Sequence, residues 1–409
     1  MMRWIIFIII YILFSVYGFQ AIKTITKLSW VHYLFIAIAV VVAGNFVYQF
    51  SIGSEGRVLN PAKSYAFGFL LAFMSLNVVM VPILIGEDLI RLFLGLYDRL
   101  FATRETFYMP SRRKFISTIA FGLAAIPFAS LLYGMYKGKY RFRVLNYVLH
   151  FEDLPDTFDG YKITQISDIH SGSFDNRKKI EYGVNLIKKQ KSDVILFTGD
   201  MVNNKSSEML PWTNLFSQLK AKDGVFSVLG NHDYGDYIDW TTPEAKAQNL
   251  ADLVQLQKKM GYDVLLNESR FIERNGQRIA IMGVENWGKG GFKKAGDLQK
   301  AKADVNPDDF KILMTHDPSH WEAEVVNDDY HYHLTLSGHT HGMQFGIEIP
   351  GWIKWSPVKW RYKQWAGIYE QLGQYINVNR GFGYLGYPGR VGIWPEITVI
   401  TLKKGSNNA

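Results

Sequence analysis

The chain has 409 residues, room for one or two domains, and its mean hydropathy of -0.03 is an average over two unlike halves. A formal charge of +8 would suit a nucleic acid or an anionic membrane, but much of the excess flanks apolar runs and reads first as membrane topology. There is no cysteine, which excludes disulfides, thiolate metal sites and cysteine nucleophiles.

Four apolar runs come first, at about 4–19, 30–50, 64–85 and 115–136, each near the ~20 residues that a helix needs to cross a bilayer. The first two lack a polar face, which argues against buried helices of a soluble protein. A membrane region is therefore expected over 1–140 and a second domain over 143–405. Arg91, Arg99, Arg104, Arg112, Arg113 and Lys114 lie between the third and fourth runs, a modest excess that favours a cytoplasmic location for that connection. "SRRKFI" at 111–116 is similar to a twin-arginine export segment and points the same way. The expected arrangement is a multi-pass protein of the cell membrane, with the fourth run a retained anchor and all that follows on the extracytoplasmic side.

From Arg143 the pattern changes. "RVLNYVLHF" and "YKITQIS" read as strands, and "NRKKIEYGVNLIKKQ" has helical apolar spacing at Ile180, Val184 and Ile187. "DVILF" is a buried strand, "EMLPWTNLFSQLKA" a helix and "GVFSVLG" a strand. "PEAKAQNLADLVQLQKKMG" is a helix with proline in its first turn. "RFIERNGQRIAIMGV" is a hairpin turning on Asn275-Gly276, and "DFKILM", "HLTLSG", "QYINVNR" and "EITVITL" supply further strands. Alternation followed by strand-rich sequence predicts two packed sheets with helices outside.

Five of these strands end in metal-binding residue types: Asp168 and His170; Asp200; Asn231, His232 and Asp233; His316 and Asp317; His339 and His341. In open α/β folds, sites gather beyond the carboxyl ends of strands. On extended chain, residues i and i+2 share a face, so Asp168/His170 and His339/His341 are each expected to aim two ligands at one centre. Of ten histidines, five fall in these motifs, which makes a coincidence of loops a poor account and a dinuclear metal site the expectation.

The order Asp-x-His, Gly-Asp, Gly-Asn-His-Asp, His, Gly-His-x-His resembles the calcineurin-like metallophosphoesterases over roughly 145–402, and the preceding anchor is similar to their membrane-tethered branch. The resemblance implies an α/β fold of two packed mixed β-sheets flanked by helices, a four-layer sandwich here preceded by an all-α transmembrane region. It implies that Asp168, His170 and His341 bind one metal, that Asn231, His316 and His339 bind a second, and that Asp200 bridges them. His232 would face the substrate as proton donor, with Asp233 orienting it. The implied reaction is hydrolysis of a phosphodiester, pyrophosphate or phosphomonoester by a metal-bridging hydroxide. Some members of the tethered branch cleave UDP-linked diacylglucosamine, so a lipid- or nucleotide-linked substrate is a candidate. Asn203 stands where many members have Asp; with Arg380 and Arg390 it is kept as a candidate substrate contact.

Nitrogen and oxygen ligands suit manganese, iron or zinc better than calcium or magnesium. After the last motif, Trp352, Trp355, Trp360 and Trp365 alternate with Lys354, Lys359, Arg361 and Lys363, a pattern suited to a membrane interface or, alternatively, to a structural loop with tryptophans in the core. A non-catalytic membrane-tethered scaffold is the competing reading. It is disfavoured because no ligand position is lost, and nucleic acid is not an expected partner for an exported domain.

Overall fold

The computed structural model describes residues 2–51, 60–101, 110–349 and 351–406. The chain forms two compact units, one closing at Tyr136 and the other running from Lys137 onward.

The first unit consists of α1 (Met2–Ile25), α2 (Ser29–Ser51), α3 (Pro61–Phe101) and α4 (Pro110–Tyr136). All four are long and apolar enough to cross a membrane. Apolar side chains cover their outsides as well as their seams: Leu13 and Val41 are more than half exposed, as suits helices that face lipid. Inside, Tyr11, Phe35, Phe46 and Phe73 pack with Ala120 and Ala124. The third span was expected to stop near 85, yet α3 continues to Phe101 and carries Arg91 and Arg99 with it. The helix continues past Pro82 and Gly86, and Glu87 and Asp88 do not end it because both are neutralised in place. Arg112 Nη2 lies 3.1 Å from the buried Glu87 carboxylate, and Arg113 pairs with Asp88. The two arginines of the export-like segment are thus spent on a helix–helix ion-pair clamp; Arg104 lies outside the described residues.

The second unit runs β1 (Arg143–Phe151), β2 (Lys162–Ile166), α5 (Arg177–Lys189), β3 (Val194–Phe197), α6 (Thr213–Phe216), β4 (Val225–Ser227), α7 (Pro243–Met260) and β5 (Asp263–Val264). It continues with β6 (Glu268–Arg274), β7 (Gln277–Val284), α8 (Leu298–Ala301), β8 (Phe310–Thr315), α9 (Ser319–Ala323), β9 (Leu334–Ser337), β10 (Ile347–Ile349), β11 (Ile353–Trp355), β12 (Gly367–Gln371), β13 (Gln374–Val378) and β14 (Glu396–Lys404). One six-stranded sheet has the order β1-β14-β2-β3-β4-β5, the other β12-β13-β9-β8-β7-β6, and β10 and β11 form a separate hairpin. Both large sheets are mixed: β14 is parallel to β1 but antiparallel to β2, and β7 is antiparallel to β6 but parallel to β8.

Alternation along the strands builds the layers. Ile163, Val194, Leu196, Ile279, Ile281, Ile312 and Leu336 fill the space between the sheets. Ile195 and Phe197 face the other way, onto Ile180, Val184 and Leu253 of the helices. On the far side, Met282 and Leu313 pack against Leu298 and Trp321. The result is the expected four-layer sandwich of helices, two mixed sheets and helices. A buried polar seam also joins the sheets: Gln165 Nε2 donates to the Ser337 carbonyl (2.9 Å), and Asn377 Nδ2 donates to Gln165 Oε1 (2.6 Å).

Local signals account for most boundaries. Asn176 caps α5, Thr242 caps α7 ahead of its first-turn proline, and Gly261 ends α7 in the left-handed conformation. The β6–β7 hairpin turns on Asn275 and Gly276, both at positive φ. The helix expected at 208–221 is mostly a 3-10 turn, Ser206–Trp212, with only Thr213–Phe216 α-helical, because Pro211 interrupts the hydrogen-bond ladder.

Candidate metal centre

The strand ends of both sheets converge on one buried cluster. Ligand atoms of Asp168, His170 and His341 lie within 4.8 Å of one another, and so do those of Asp168, Asp200 and His316. His341 Nε2 is 3.2 Å from Asp168 Oδ1, and His316 Nε2 is 3.2 Å from Asp200 Oδ2. His170 Nε2 is 3.5 Å from Asp200 Oδ2 and 3.0 Å from His341 Nε2. On the other flank, His339 Nδ1 is 2.8 Å from Asn231 Oδ1 and 3.3 Å from His316 Nε2.

The convergence does not come from strand alternation. β2 ends at Ile166, and Asp168, His170, Asp200, His339 and His341 all have φ between 47° and 71°. The left-handed region costs a non-glycine residue on the order of 1–3 kcal/mol, so five such residues in one cluster mark a site whose surroundings impose them. The period-two argument thus had the wrong geometry: Asp168 and His170 do lie together, but His341 joins them while His339 sits on the other flank beside Asn231 and His316.

Glycine in the motifs serves close approach. A Cβ on Gly230 would lie 2.2 Å from Asp200 Oδ1, and one on Gly338 1.9 Å from Ser167 Oγ and 2.3 Å from Asp168 Oδ2. Gly230→Ala should therefore displace Asp200 and abolish metal retention while leaving both sheets folded. Metal content after dialysis, set beside the circular-dichroism spectrum, reads this; stoichiometric metal in the variant would refute it.

The surroundings fix which ring atoms face inward. His316 Nδ1 donates to the Thr198 carbonyl (2.7 Å), leaving Nε2 toward Asp200. His170 Nδ1 faces Asn203 Oδ1 (3.1 Å), and Asn203 Nδ2 donates to Ser173 Oγ, so the amide oxygen is the acceptor. In their neutral forms both imidazoles thus point bare nitrogen lone pairs at carboxylate oxygens or at each other. Such an array of buried acceptors requires cations or protons. Burial would push His316 down, but the charge of Asp200 and the hydrogen bond to it carry it up to about 10. Burial holds His170 well below its ordinary value and brings His339, which also faces His316, down to about 4. Burial raises Asp168, yet the charge of His341 and the hydrogen bond to it hold its carboxyl well below the usual range. The donor set fits divalent cations: imidazole nitrogens and carboxylate oxygens, buried and in each group within 4.8 Å of one another, converge with no basic side chain among them.

His232 borders this cluster and is only partly buried. Its backbone N–H donates to Asp200 Oδ1 (2.8 Å), its Nδ1 donates to the Asn203 carbonyl (2.8 Å), and its ring packs on Tyr237 with centroids 4.3 Å apart. Burial pushes its pKa down.

Four residues differ from expectation. Asp233 does not orient the His232 ring; it brackets the loops, accepting from the amides of Asp200 (2.9 Å), Met201 (2.8 Å), Val202 (3.3 Å) and Gly230 (2.9 Å). Burial, then the charge of Asp200, raises it to about 7 in spite of those amides. Arg380 is buried in ion pairs with Glu396 and Glu348 and cannot meet a substrate. Arg390 is fully buried, donates to the Gly381 and Gly383 carbonyls, and has Nη2 3.1 Å from His341 Nδ1, so it braces the ligand from behind. Asn203 touches His170 and His232 and works through them.

Other neighbours gave no sequence signal. The Tyr362 hydroxyl is 2.8 Å from His339 Nε2, Asn231 Nδ2 donates to the Tyr237 hydroxyl (2.6 Å), and the Phe292 ring stands edge-on to His339 at 4.9 Å. Glu208 accepts the amides of Asn203, Asn204 and Lys205 and so holds the Asn203 loop.

Comparison with known proteins agrees with this arrangement. A family profile described as "Probable Calcineurin-like phosphoesterase, transmembrane domain" matches residues 2–139, and one described as "Calcineurin-like phosphoesterase" matches 161–343. The uncharacterized metallophosphoesterase YkuE of Bacillus subtilis is 30% identical over 302 residues, covering 72% of this chain and 98% of that protein. A transmembrane protein with metallophosphoesterase domain from Danio rerio is 26% identical over 284 residues; the match covers 67% of this chain and 60% of that one. Among solved structures, the NAD nucleotidase of Haemophilus influenzae aligns at 14% identity and a TM-score of 0.36, covering 55% of this chain and 45% of that one, too slight a likeness to bear on activity. Membrane region and motif-bearing domain alike find their counterparts in one group, and the chain belongs to the calcineurin-like metallophosphoesterases.

Proposed function

We propose that the chain is a membrane-anchored phosphoesterase that uses two divalent cations to hydrolyse a phosphodiester, pyrophosphate or phosphomonoester bond. The observation that carries this reading is the array of buried acceptors, with His170 and His316 lone pairs aimed at Asp200 Oδ2 from 3.5 and 3.2 Å. In it, Asp168, His170 and His341 hold one cation, Asn231, His316 and His339 hold the other, and Asp200 lies between them. When bound, such a pair supplies Lewis-acid neutralisation of phosphoryl oxygens and a water acidic enough to attack near neutral pH.

The remaining tasks fall to the chain. His232, steadied by the Asn203 carbonyl and the Tyr237 ring, delivers a proton to the leaving oxygen. Tyr237 and Tyr362 hold Asn231 and His339 in orientation, as outer-shell partners of ligands do. The nitrogen–oxygen donor set suits manganese, iron or zinc. A scaffold that had lost catalysis would be expected to lack ligands, and none is missing. Arg112, Arg113 and Lys114 at the start of α4 favour a cytoplasmic α3–α4 connection and so a catalytic domain on the extracytoplasmic side. The substrate class this favours is a lipid-borne phosphoester; a nucleotide-linked diacyl sugar pyrophosphate such as UDP-diacylglucosamine is one candidate.

The test uses the full chain in detergent, stripped of metal. Restoring manganese, zinc, iron or magnesium one at a time should recover hydrolysis of a chromogenic phosphodiester or monoester with at least one of the first three. No turnover with any metal on either ester, from protein that has taken metal up, would refute the reading.

A further inference from the structure

Beyond the Gly-His-Thr-His motif the chain leaves the sandwich. β10 and β11 pair as a short antiparallel hairpin in which Ile347 faces Trp355 and Ile349 faces Ile353. Its side chains do not close on a core. Ile347 is 51% exposed, Trp352 at the turn 76%, and Trp360 just beyond 75%; Met343, Ile349 and Ile353 join the same exposed set. Soluble surfaces show large apolar residues singly, and a contiguous patch marks an interaction site. Of the four tryptophans in this stretch, Trp365 is core, Trp355 is half-buried, and Trp352 and Trp360 stand outside.

Exposed cations flank the patch at Lys359 and Arg361, while the Lys354 ammonium is turned inward onto the Ala366 carbonyl. Its base is fixed. Ser356 Oγ donates to the Gly342 carbonyl (2.8 Å), Glu348 pairs with buried Arg380, and Lys354 lies over the Trp365 and Tyr369 rings. The base also reaches the metal centre. Trp360 is two residues from Tyr362, whose hydroxyl is 2.8 Å from His339 Nε2, and the Arg361 guanidinium covers the Phe292 ring that abuts His339.

We propose that residues 343–349 and 351–361 dock the domain onto a lipid interface bearing anionic headgroups, so that the ester reaching the centre is delivered from a membrane. This rests on the phosphoesterase reading for the word ester, but not for the docking. Tryptophan favours the headgroup level, where its ring is half in hydrocarbon, and lysine and arginine beside it favour anionic lipid phosphates. A bilayer is also always at hand: only residues 137–142 separate α4 from β1.

The absence of cysteine makes the test direct. W352C, W360C and the control L372C, which sits exposed at the β12–β13 turn, are each made in the full chain, nitroxide-labelled and reconstituted into vesicles. Accessibility is read against oxygen, which partitions into lipid, and against a water-soluble nickel chelate. On phosphatidylcholine–phosphatidylglycerol vesicles, labels at 352 and 360 should lose nickel accessibility and gain oxygen accessibility, while the label at 372 stays aqueous. The shift should shrink on phosphatidylcholine alone; a shift of equal size there would overturn the anionic requirement. Labels at 352 and 360 that remain aqueous, or that are shielded from both reagents as a covering protein would shield them, would overturn the docking. The readout is depth rather than turnover, so it stands or falls separately from the metal add-back assay.

Discussion

Asp200→Asn should leave the chain folded and reduce turnover by about 10³-fold or more with every metal that supports the wild type, a loss of about 4 kcal/mol of transition-state stabilisation. The substitution is nearly isosteric, and Asp200 is fully enclosed, so no neighbour has to move. Its effect is on charge and on donor direction. Asp200 Oδ1 accepts the His232 amide, while Oδ2 is the oxygen shared by His170 and His316. An amide has one oxygen for these two tasks. If it faces His232, an NH₂ group points into the metal cluster; if it faces the cluster, an N–H opposes the His232 N–H. In both orientations a negative charge between the two ligand groups is lost. Metal content and kcat should be measured together on the variant. Turnover within tenfold of wild type would mean that Asp200 does not stand between two cations, and the dinuclear reading would fall.

His232→Ala is expected to behave differently. Metal content should be unchanged, because the one hydrogen bond His232 gives a cluster carboxylate comes from its backbone N–H, which alanine keeps, and its ring meets His170 only edge-on at 5.0 Å. The loss should depend on the leaving group. For esters of ordinary alcohols, turnover should fall by about 10²–10⁴-fold, the usual contribution of a positioned general acid. For a nitrophenyl ester, whose leaving group needs no proton, the loss should be under about tenfold on the same principle. Removing the ring also uncovers Tyr237 and the Asn203 carbonyl, so a merely structural role would depress both substrates alike. Equal losses would count against proton donation, and normal turnover on alkyl esters would end the assignment.

These two residues were legible in the sequence for a simple reason. Aspartate and histidine seldom follow directly on buried strands, and five strands ending in such residues leave little room for another account. The sandwich was legible through alternation, caps and the Asn275-Gly276 turn. What stayed hidden depended on distant partners or on backbone conformation. The family resemblance made Asp233 the orienter of His232, yet three of its four amides come from residues 200–202. Arg380 and Arg390 looked like substrate contacts because a sequence displays charge without burial; Glu396, Glu348 and a set of carbonyls had claimed them. The positive φ of Asp168 and His170 leaves only a weak signature in residue type, since Asp and His are merely enriched there and neither is glycine. Tyr237 and Tyr362 sit in loops whose spacing to the motifs follows no rule. In the membrane unit, the overrun of α3 was hidden because its acidic residues find their arginines on another helix.

The strand that comes last in the order of the two sheets is not at an edge. β14 lies between β1 and β2, and its Thr398 accepts Asn379 Nδ2 (2.9 Å) from the opposite sheet. Until Glu396–Lys404 is available, β1 has no neighbour, β2 has one open flank, and Arg380 lacks its Glu396 partner. Pairing across more than 240 residues of sequence is among the slowest events a chain undertakes. The membrane helices, built from local contacts, are complete long before. Biogenesis is therefore ordered by topology: anchoring comes first, and the second unit assembles as a whole only after β14 has left the ribosome. A nascent chain paused anywhere upstream is tethered and inert, and its unpaired sheet edges fall to chaperones on whichever side of the membrane it waits.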